Sequence, residues 1–187
     1  MATTADIRRG LTIEYNGKIY QVTYFQHVKP GKGAAFVRTK LKSLENGRVI
    51  ENTFPSGAKI TEVRIERRPY QFLYSDDLGF HFMHNETYEQ ITLSADLIEN
   101  ADLLKEGDMV EMMFHAANET VLTCDLMPFT EMEVTYTEPG LKGDTATNAM
   151  KPATLETGAS IMVPLFINIG DVIKVDTETR GYMERVK

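Results

Sequence analysis

Short runs in which apolar and polar residues alternate dominate the chain, with the two-residue period of strands that bury one face. Leu11-Thr12-Ile13-Glu14-Tyr15 is the first such run. Asn16-Gly17 follows, a pair suited to a type I′ turn because both positions require positive φ. The return run, Lys18 to Phe25, offers Ile19, Tyr20, Val22 and Tyr24 for packing. Phe36 to Lys42 alternates again and puts Arg38, Lys40 and Lys42 on one face. Glu45-Asn46-Gly47-Arg48 marks a second hairpin turn before the short strand Val49 to Phe54. About five short strands in roughly 60 residues is the pattern of a small SH3-like barrel.

Arg64, Arg67 and Arg68, just before Pro69, are expected in or beside a first linker. Beyond it, Gln71 to Tyr74 and Phe80 to Met83 read as strands around a turn at Ser75-Asp76-Asp77-Leu78-Gly79. The period then changes. Leu97, Ile98, Ala101 and Leu104 recur at helical spacing behind Ser94, a good N-cap, so Ser94 to Leu104 is the helix expected of this chain. Met109 to Phe114 returns to strand. Glu131 to Thr137 and Ile161 to Ile167 are strands of a last module, with the loop Glu138 to Thr145 after the first of them. Gly107-Asp108-Met109-Val110-Glu111-Met112 is echoed by Gly170-Asp171-Val172-Ile173-Lys174-Val175, and a further strand follows each, Thr120 to Cys124 and Gly181 to Val186. The echo suggests that the second and third modules are related barrels of the OB type. The expected fold is therefore all-β, three small β-barrel domains spanning residues 1–65, 66–127 and 128–187.

Composition narrows the class. The chain is 42% hydrophobic and 25% charged, as a globular protein is. No apolar run approaches the roughly 20 residues of a membrane helix. The opening MATTADIRRG lacks the apolar core of a signal peptide, and one cysteine, Cys124, allows no internal disulfide. A cytoplasmic monomer without membrane contact is the expectation. The net charge of −7 is unevenly spread: residues 1–68 carry 13 Lys and Arg against 6 Asp and Glu, whereas residues 69–127 carry 1 against 12. An anionic partner is expected at the front third only.

That basic third contains an unusual tip, His27-Val28-Lys29-Pro30-Gly31-Lys32-Gly33-Ala34-Ala35-Phe36, between two alternating runs. Pro30 fixes its own φ and drives Lys29 toward extended backbone. Gly31 and Gly33 leave Lys32 uncrowded and permit positive φ. The predicted product is a hairpin whose loop holds one ammonium group away from the body. Arg38, Lys40 and Lys42 lie beside it, either as an RNA-binding face or as a solvated edge that discourages aggregation.

Other chemistries find no support. His27, His81, His84 and His115 form no pair with the helical spacing of a metalloprotease, and Cys124 has no cysteine partner. Gly31-Lys32-Gly33 and Gly140-Leu141-Lys142-Gly143-Asp144-Thr145 both lack the spacing of a phosphate loop. No nucleophile stands with a base. No metal, cofactor or catalytic residue is expected.

Three segments carry a resemblance to the bacterial elongation factor P family over essentially the whole chain. They are VKPGKGAAFVR at 28–38, EPGLKGDTA at 138–146, and KPATLETGASIMVPLFINIGD at 151–171, the last with Lys151, Ala153, Gly158, Val163, Pro164 and Gly170 at the family's spacings. The ending supplies Tyr182 and Arg185 at family-like positions. The resemblance implies one KOW-type SH3-like barrel and two OB barrels in an L-shaped, tRNA-like arrangement. It implies a factor that binds both ribosomal subunits between the peptidyl and exit sites and relieves stalling at consecutive prolines. Lys32 would reach toward the CCA end of the peptidyl-tRNA, within the loop formed with Lys29, Pro30, Gly31 and Gly33. A lysine-modifying enzyme would be a further partner, since a tip lysine in this family is often β-lysylated or extended with an aminopentanol group. Gly143, Asp144 and Thr145 would face the small subunit and the exit-site codon.

The chain departs from the family pattern where glycine is usual two residues before the C-terminal tyrosine: Arg180 stands there and Gly181 follows. Rival expectations are a paralogue that acts elsewhere and a ribosome-associated KOW or OB protein that binds RNA generally.

Overall fold

A computed structural model describes residues 2–140 and 149–186. Its first sheet contains β1 (Ala2–Thr3), β2 (Thr12–Tyr15), β3 (Lys18–Val28), β4 (Phe36–Ser43), β5 (Val49–Pro55) and β6 (Lys59–Glu62), in the order β1-β6-β2-β3-β4-β5. Asn16 and Gly17 both take positive φ, 52° and 74°, as a type I′ turn requires. Curling of this sheet encloses Ile7, Leu11, Ile13, Tyr20, Val22, Val37, Leu41 and Ile60. The expected packing set for β3 holds only in part. Tyr20 and Val22 are buried, Ile19 is half-buried, and Tyr24 is exposed. The β3–β4 register slips between Val22 and Tyr24, and the core-facing position passes to Phe25. A one-residue bulge moves every later side chain to the opposite face.

The second sheet contains β7 (Ile65–Asp76), β8 (Gly79–His84), β9 (Gln90–Leu93), β10 (Met109–His115) and β11 (Thr120–Leu126), ordered β11-β10-β7-β8-β9. The third contains β12 (Phe129–Thr137), β13 (Met150–Leu155), β14 (Ser160–Pro164), β15 (Val172–Asp176) and β16 (Gly181–Arg185), ordered β14-β13-β12-β15-β16. Numbered within each sheet, both orders are 5-4-1-2-3. The likeness extends to single hydrogen bonds. Gly107 donates to Phe72 O and Phe72 to Asp108 O, at 2.9 and 2.8 Å. Gly170 donates to Val134 O and Val134 to Asp171 O, at 2.8 and 2.9 Å. Each aspartate also accepts, through Oδ2, the backbone N–H three residues earlier, from Lys105 or Asn168. Both turns dock where the first strand of their sheet shifts register, after Phe72 and after Val134. The six-residue echo in the sequence is this repeated turn-and-bulge junction.

The expected helix at 94–104 does not form. Two 3₁₀ turns, Ala95–Leu97 and Ala101–Leu103, replace it. Asn100 between them is left-handed, with φ 57° and ψ 40°, Ile98 bridges Cys124, and Ser94 makes no side-chain cap. Its apolar residues serve separate sites, which a single helical stripe could not reach. The connection near Arg64 is short: β6 ends at Glu62 and β7 begins at Ile65, so Arg64 lies between the two strands while Arg67, Arg68 and Pro69, beside it, belong to β7. The strand expected over Ile161–Ile167 stops at Pro164, and Ile167 enters the core from the following turn. Strands β1, β6, β9 and β13 have no counterpart among the named expected strands.

The chain forms two compact units. One holds the chain up to Arg68 with Met112–Thr123, and the other holds Pro69–Glu111 with the chain from Cys124 onward. In the first, the Arg68 guanidinium donates to Glu119 at 2.7 and 3.2 Å and to Glu66 at 2.7 Å, and it lies 4.4 Å from the centre of the Phe114 ring. The hydrogen bonds from Arg68 hold the Glu119 carboxyl below its ordinary range. A lowered folded-state value means the unfolded chain takes up protons first as pH falls. The stabilisation is thus complete above the ordinary glutamate range and is lost as pH falls through the lowered value. Arg68→Met should therefore lower the melting temperature near neutral pH by more than it does in acid. Thermal melts of both proteins across that range test this.

Candidate functional site

The longest strand pairing in the first sheet builds the site. β3 and β4 pair from Tyr20↔Ser43 to Val28↔Phe36, and β5 supports β4 along its length. Alternation in β4 buries Val37, Thr39, Leu41 and Ser43, which anchors the hairpin while its far end extends beyond the core. Val28↔Phe36 closes the neck of the tip loop, and Ser56 N–H donates to Ala35 O at 2.9 Å. Lys29, Pro30, Gly31, Lys32, Gly33 and Ala34 are all exposed. Lys32 forms no ion pair with any described residue. The two glycines differ: Gly33 is held at φ +110°, where a side chain is strained, whereas Gly31 is not in the left-handed region and a Cβ there would meet nothing within 4 Å. Only one of them uses the positive φ that both permit.

Arg38, Lys40 and Lys42 are exposed on one face of β4, as the alternation predicts. Lys40 pairs with Glu51 at 3.4 Å across β5. Tyr24, 46% exposed because of the bulge, lies opposite Lys40, and Gln26 lies opposite Arg38. With Thr23 and Glu51 these residues line a shallow hollow of about 550 Å³. A tyrosine face with a guanidinium and an ammonium beside it is suited to a nucleotide, whose base stacks while its phosphate is neutralised. Sequence reading assigned Tyr24 to the core. Its only signal is the Thr23 bulge, which is set by cross-strand pairing.

The remaining candidates are separate from this face. Tyr182 packs against the third sheet's core and meets Phe166 edge-on, with ring centres 6.4 Å apart. Arg185 lies 5.8 Å over Phe166 and 3.8 Å from Asp171. Gly143, Asp144 and Thr145 lie outside the described residues. No group of three His, Cys, Asp or Glu side chains among the described residues could hold a metal. Burial pushes the Cys124 thiol up to about 12, which keeps it protonated and unreactive.

One polar chain was missed. His81 Nε2 lies 2.8 Å from Asp76 Oδ1, and Nδ1 lies 3.0 Å from Thr92 Oγ1. The order hydroxyl, imidazole, carboxylate resembles a hydrolase triad. Tyr74 stacks on the ring at 4.5 Å, and the three groups come from β7, β8 and β9. They tie three neighbouring strands together and line neither the hollow beside Ala101 and Glu156 nor the one beside Leu126 and Phe129. Among the described residues no helix is long and apolar enough to cross a membrane.

Comparison with known proteins accords with this geometry. Residues 3–60 match the elongation factor P KOW-like domain, residues 65–123 its OB domain and residues 130–185 its C-terminal domain. The chain is 60% identical to elongation factor P 1 of Porphyromonas gingivalis over 187 residues, all of both chains. It is also 60% identical to elongation factor P of Amoebophilus asiaticus, covering all of this chain and 98% of the other. Among solved structures, an initiation factor 5A from Methanococcus jannaschii aligns with TM-score 0.51 at 22% identity, over 67% of this chain and 90% of that one. A factor of the same family from Naegleria fowleri gives TM-score 0.54 at 17%, over 67% and 96%. These two carry the fold alone. Domain matches across the chain and full-length relatives at this identity mean that the chain belongs to the elongation factor P family of bacterial translation factors.

Proposed function

We propose that this elongation factor binds the ribosome between the peptidyl and exit sites and stimulates peptide-bond formation at consecutive prolines. It does so by holding the CCA end of the peptidyl-tRNA. The observation that carries the reading is Lys32, exposed and without an ion pair among the described residues, at the end of the β3–β4 hairpin. Proline reacts slowly because its ring restricts the approach of the attacking amine. A reaction between two tethered groups gains most from orientation, and orientation requires no acid, base or nucleophile from the factor. A cation on a flexible stem can grip the tRNA backbone and reduce the motion of its end.

In this reading the chain has three domains, 1–65, 66–127 and 128–187, and acts as a cytoplasmic monomer. The basic first third faces RNA, with Arg38, Lys40 and Lys42 along the acceptor end. The acidic middle faces away or meets a cationic ribosomal protein. Gly143, Asp144 and Thr145 approach the small subunit, and Tyr182 and Arg185 contribute contacts near the C-terminus. Lys32 is also the substrate of a modifying enzyme, because a tip that is open to the CCA end is equally open to an enzyme. An added mass on Lys32 in protein from its native cell would show the modification.

The test is reconstituted translation. Adding the factor should accelerate synthesis through Pro-Pro-Pro and leave Phe-Phe-Phe unchanged. Equal acceleration of both, or of neither, would sink the reading.

A further inference from the structure

The residue at which this chain leaves the expected turn pattern is held by two partners from the segment between β9 and β10 of the same unit. Arg180 sits in the turn between β15 and β16 with φ 58°, a left-handed conformation that is strained for a side chain of its size. Its guanidinium forms a two-pronged pair with Asp102, Nη1 to Oδ1 and Nη2 to Oδ2, both at 2.7 Å. Nη1 also donates to Asn100 Oδ1 at 3.2 Å, and Nη2 to Ser160 O at 3.4 Å. Asn100 is left-handed too, and it returns the contact by donating Nδ2 to Thr177 O at 2.8 Å and to Glu178 O at 3.4 Å. Two left-handed residues, one in the β15–β16 turn and one in the segment between β9 and β10, thus face each other with their polar groups matched. Strain of this kind persists where the surroundings fix it.

The fastening surrounds a plug. Leu103, next to Asp102, is 0% exposed and belongs to the core of the third sheet, with Met132, Leu155 and Ile173. On its other side, Lys105 Nζ donates to Glu131 O at 2.8 Å and to Glu156 Oε1 at 3.4 Å, and Glu133 N–H donates to the same carboxylate at 3.0 Å. The segment Asn100–Lys105, between β9 and β10, is therefore bound to the third sheet on both sides of a buried leucine.

We infer that Arg180 is a positioning residue: its pair with Asp102 fixes the β15–β16 turn, and with it Tyr182 and Arg185, to the segment between β9 and β10, so that this unit meets the ribosome preassembled. The functional half of this inference rests on the reading in the preceding section. Preassembly removes an ordering cost from binding and leaves the chemical step untouched. Loosening the turn should raise the concentration of factor needed and leave the saturated rate alone.

The variant to use is Arg180→Gly, which suits the left-handed backbone and removes the side chain, guanidinium included, without straining the turn. Residual dipolar couplings give a measure independent of activity. In the wild type, amides of β8–β9 and of β12–β16 should fit one alignment tensor; in Arg180→Gly they should need two. In Pro-Pro-Pro synthesis the half-saturating concentration should rise about five-fold or more at an unchanged plateau. Asp102→Asn should add nothing to Arg180→Gly, because the two groups act as one pair. A single tensor in Arg180→Gly would overturn the inference, as would a lower plateau with an unchanged half-saturation or additive effects of the two substitutions. If the wild-type factor failed to accelerate polyproline synthesis, the proposed function would fall while the couplings still judged the fastening.

Discussion

Lys32→Ala is expected to reduce the acceleration of Pro-Pro-Pro synthesis by about ten-fold or more, since the gain available from orientation is large and this side chain delivers it. The same substitution should leave stability within about 0.5 kcal/mol, as for an exposed residue away from caps and core. The physical basis is the tip's separation of tasks. β4 anchors the hairpin through Val37, Thr39 and Leu41, and nothing in that anchoring involves Lys32. The glycines refine the expectation. Gly33→Ala should impair activity, because φ +110° strains any side chain and the loop must shift. Gly31→Ala has open space and should be tolerated in the isolated protein. Kinetics and thermal melts on the same samples would check the set. Activity of Lys32→Ala equal to that of both the unmodified and the natively modified wild-type factor would overturn the role assigned to the tip.

Leu103→Ala is expected to destabilise the chain by about 2–5 kcal/mol, the range for removing a fully enclosed leucine and leaving a cavity. Leu103 is the one member of the third sheet's core cluster contributed by the segment before β10. Its loss therefore weakens the core and the attachment of that segment together. Denaturant unfolding should show a lower midpoint and, if the sheets of this unit then unfold separately, a shallower slope. A loss below 1 kcal/mol would mean that the site collapses around the gap and that Leu103 is not a plug.

Much of the fold was legible because β structure writes itself locally. The two-residue period in β4 and the Asn16-Gly17 turn each depend on neighbours a few residues apart. The tip was legible for the same reason, since Lys29 to Gly33 belong to one loop. What failed involved distant partners. Tyr24 reads as a core residue by alternation, yet cross-strand pairing places a bulge before it and turns it outward. The stretch Ser94 to Leu104 has helical spacing, yet Ile98 pairs with Cys124 while Leu103 enters another sheet's core, and Asn100 turns left-handed between them. Arg180 was visible only as an irregularity, because Asp102 lies 78 residues earlier.

The sequence by itself determined the all-β class, the hairpin with Lys32 at its end, the one-sided basic charge and, through its motifs, the family. Each follows from chemistry that is local in the chain or repeated along it. Tertiary structure alone decided which face Tyr24 presents, how the Gly-Asp turns lock onto their bulges, and how Leu103 and Arg180 bind the segment between β9 and β10 to the third sheet. Those outcomes depend on backbone pairing and burial between distant segments, where a shift of one residue reverses a side chain and a local preference yields to a buried contact.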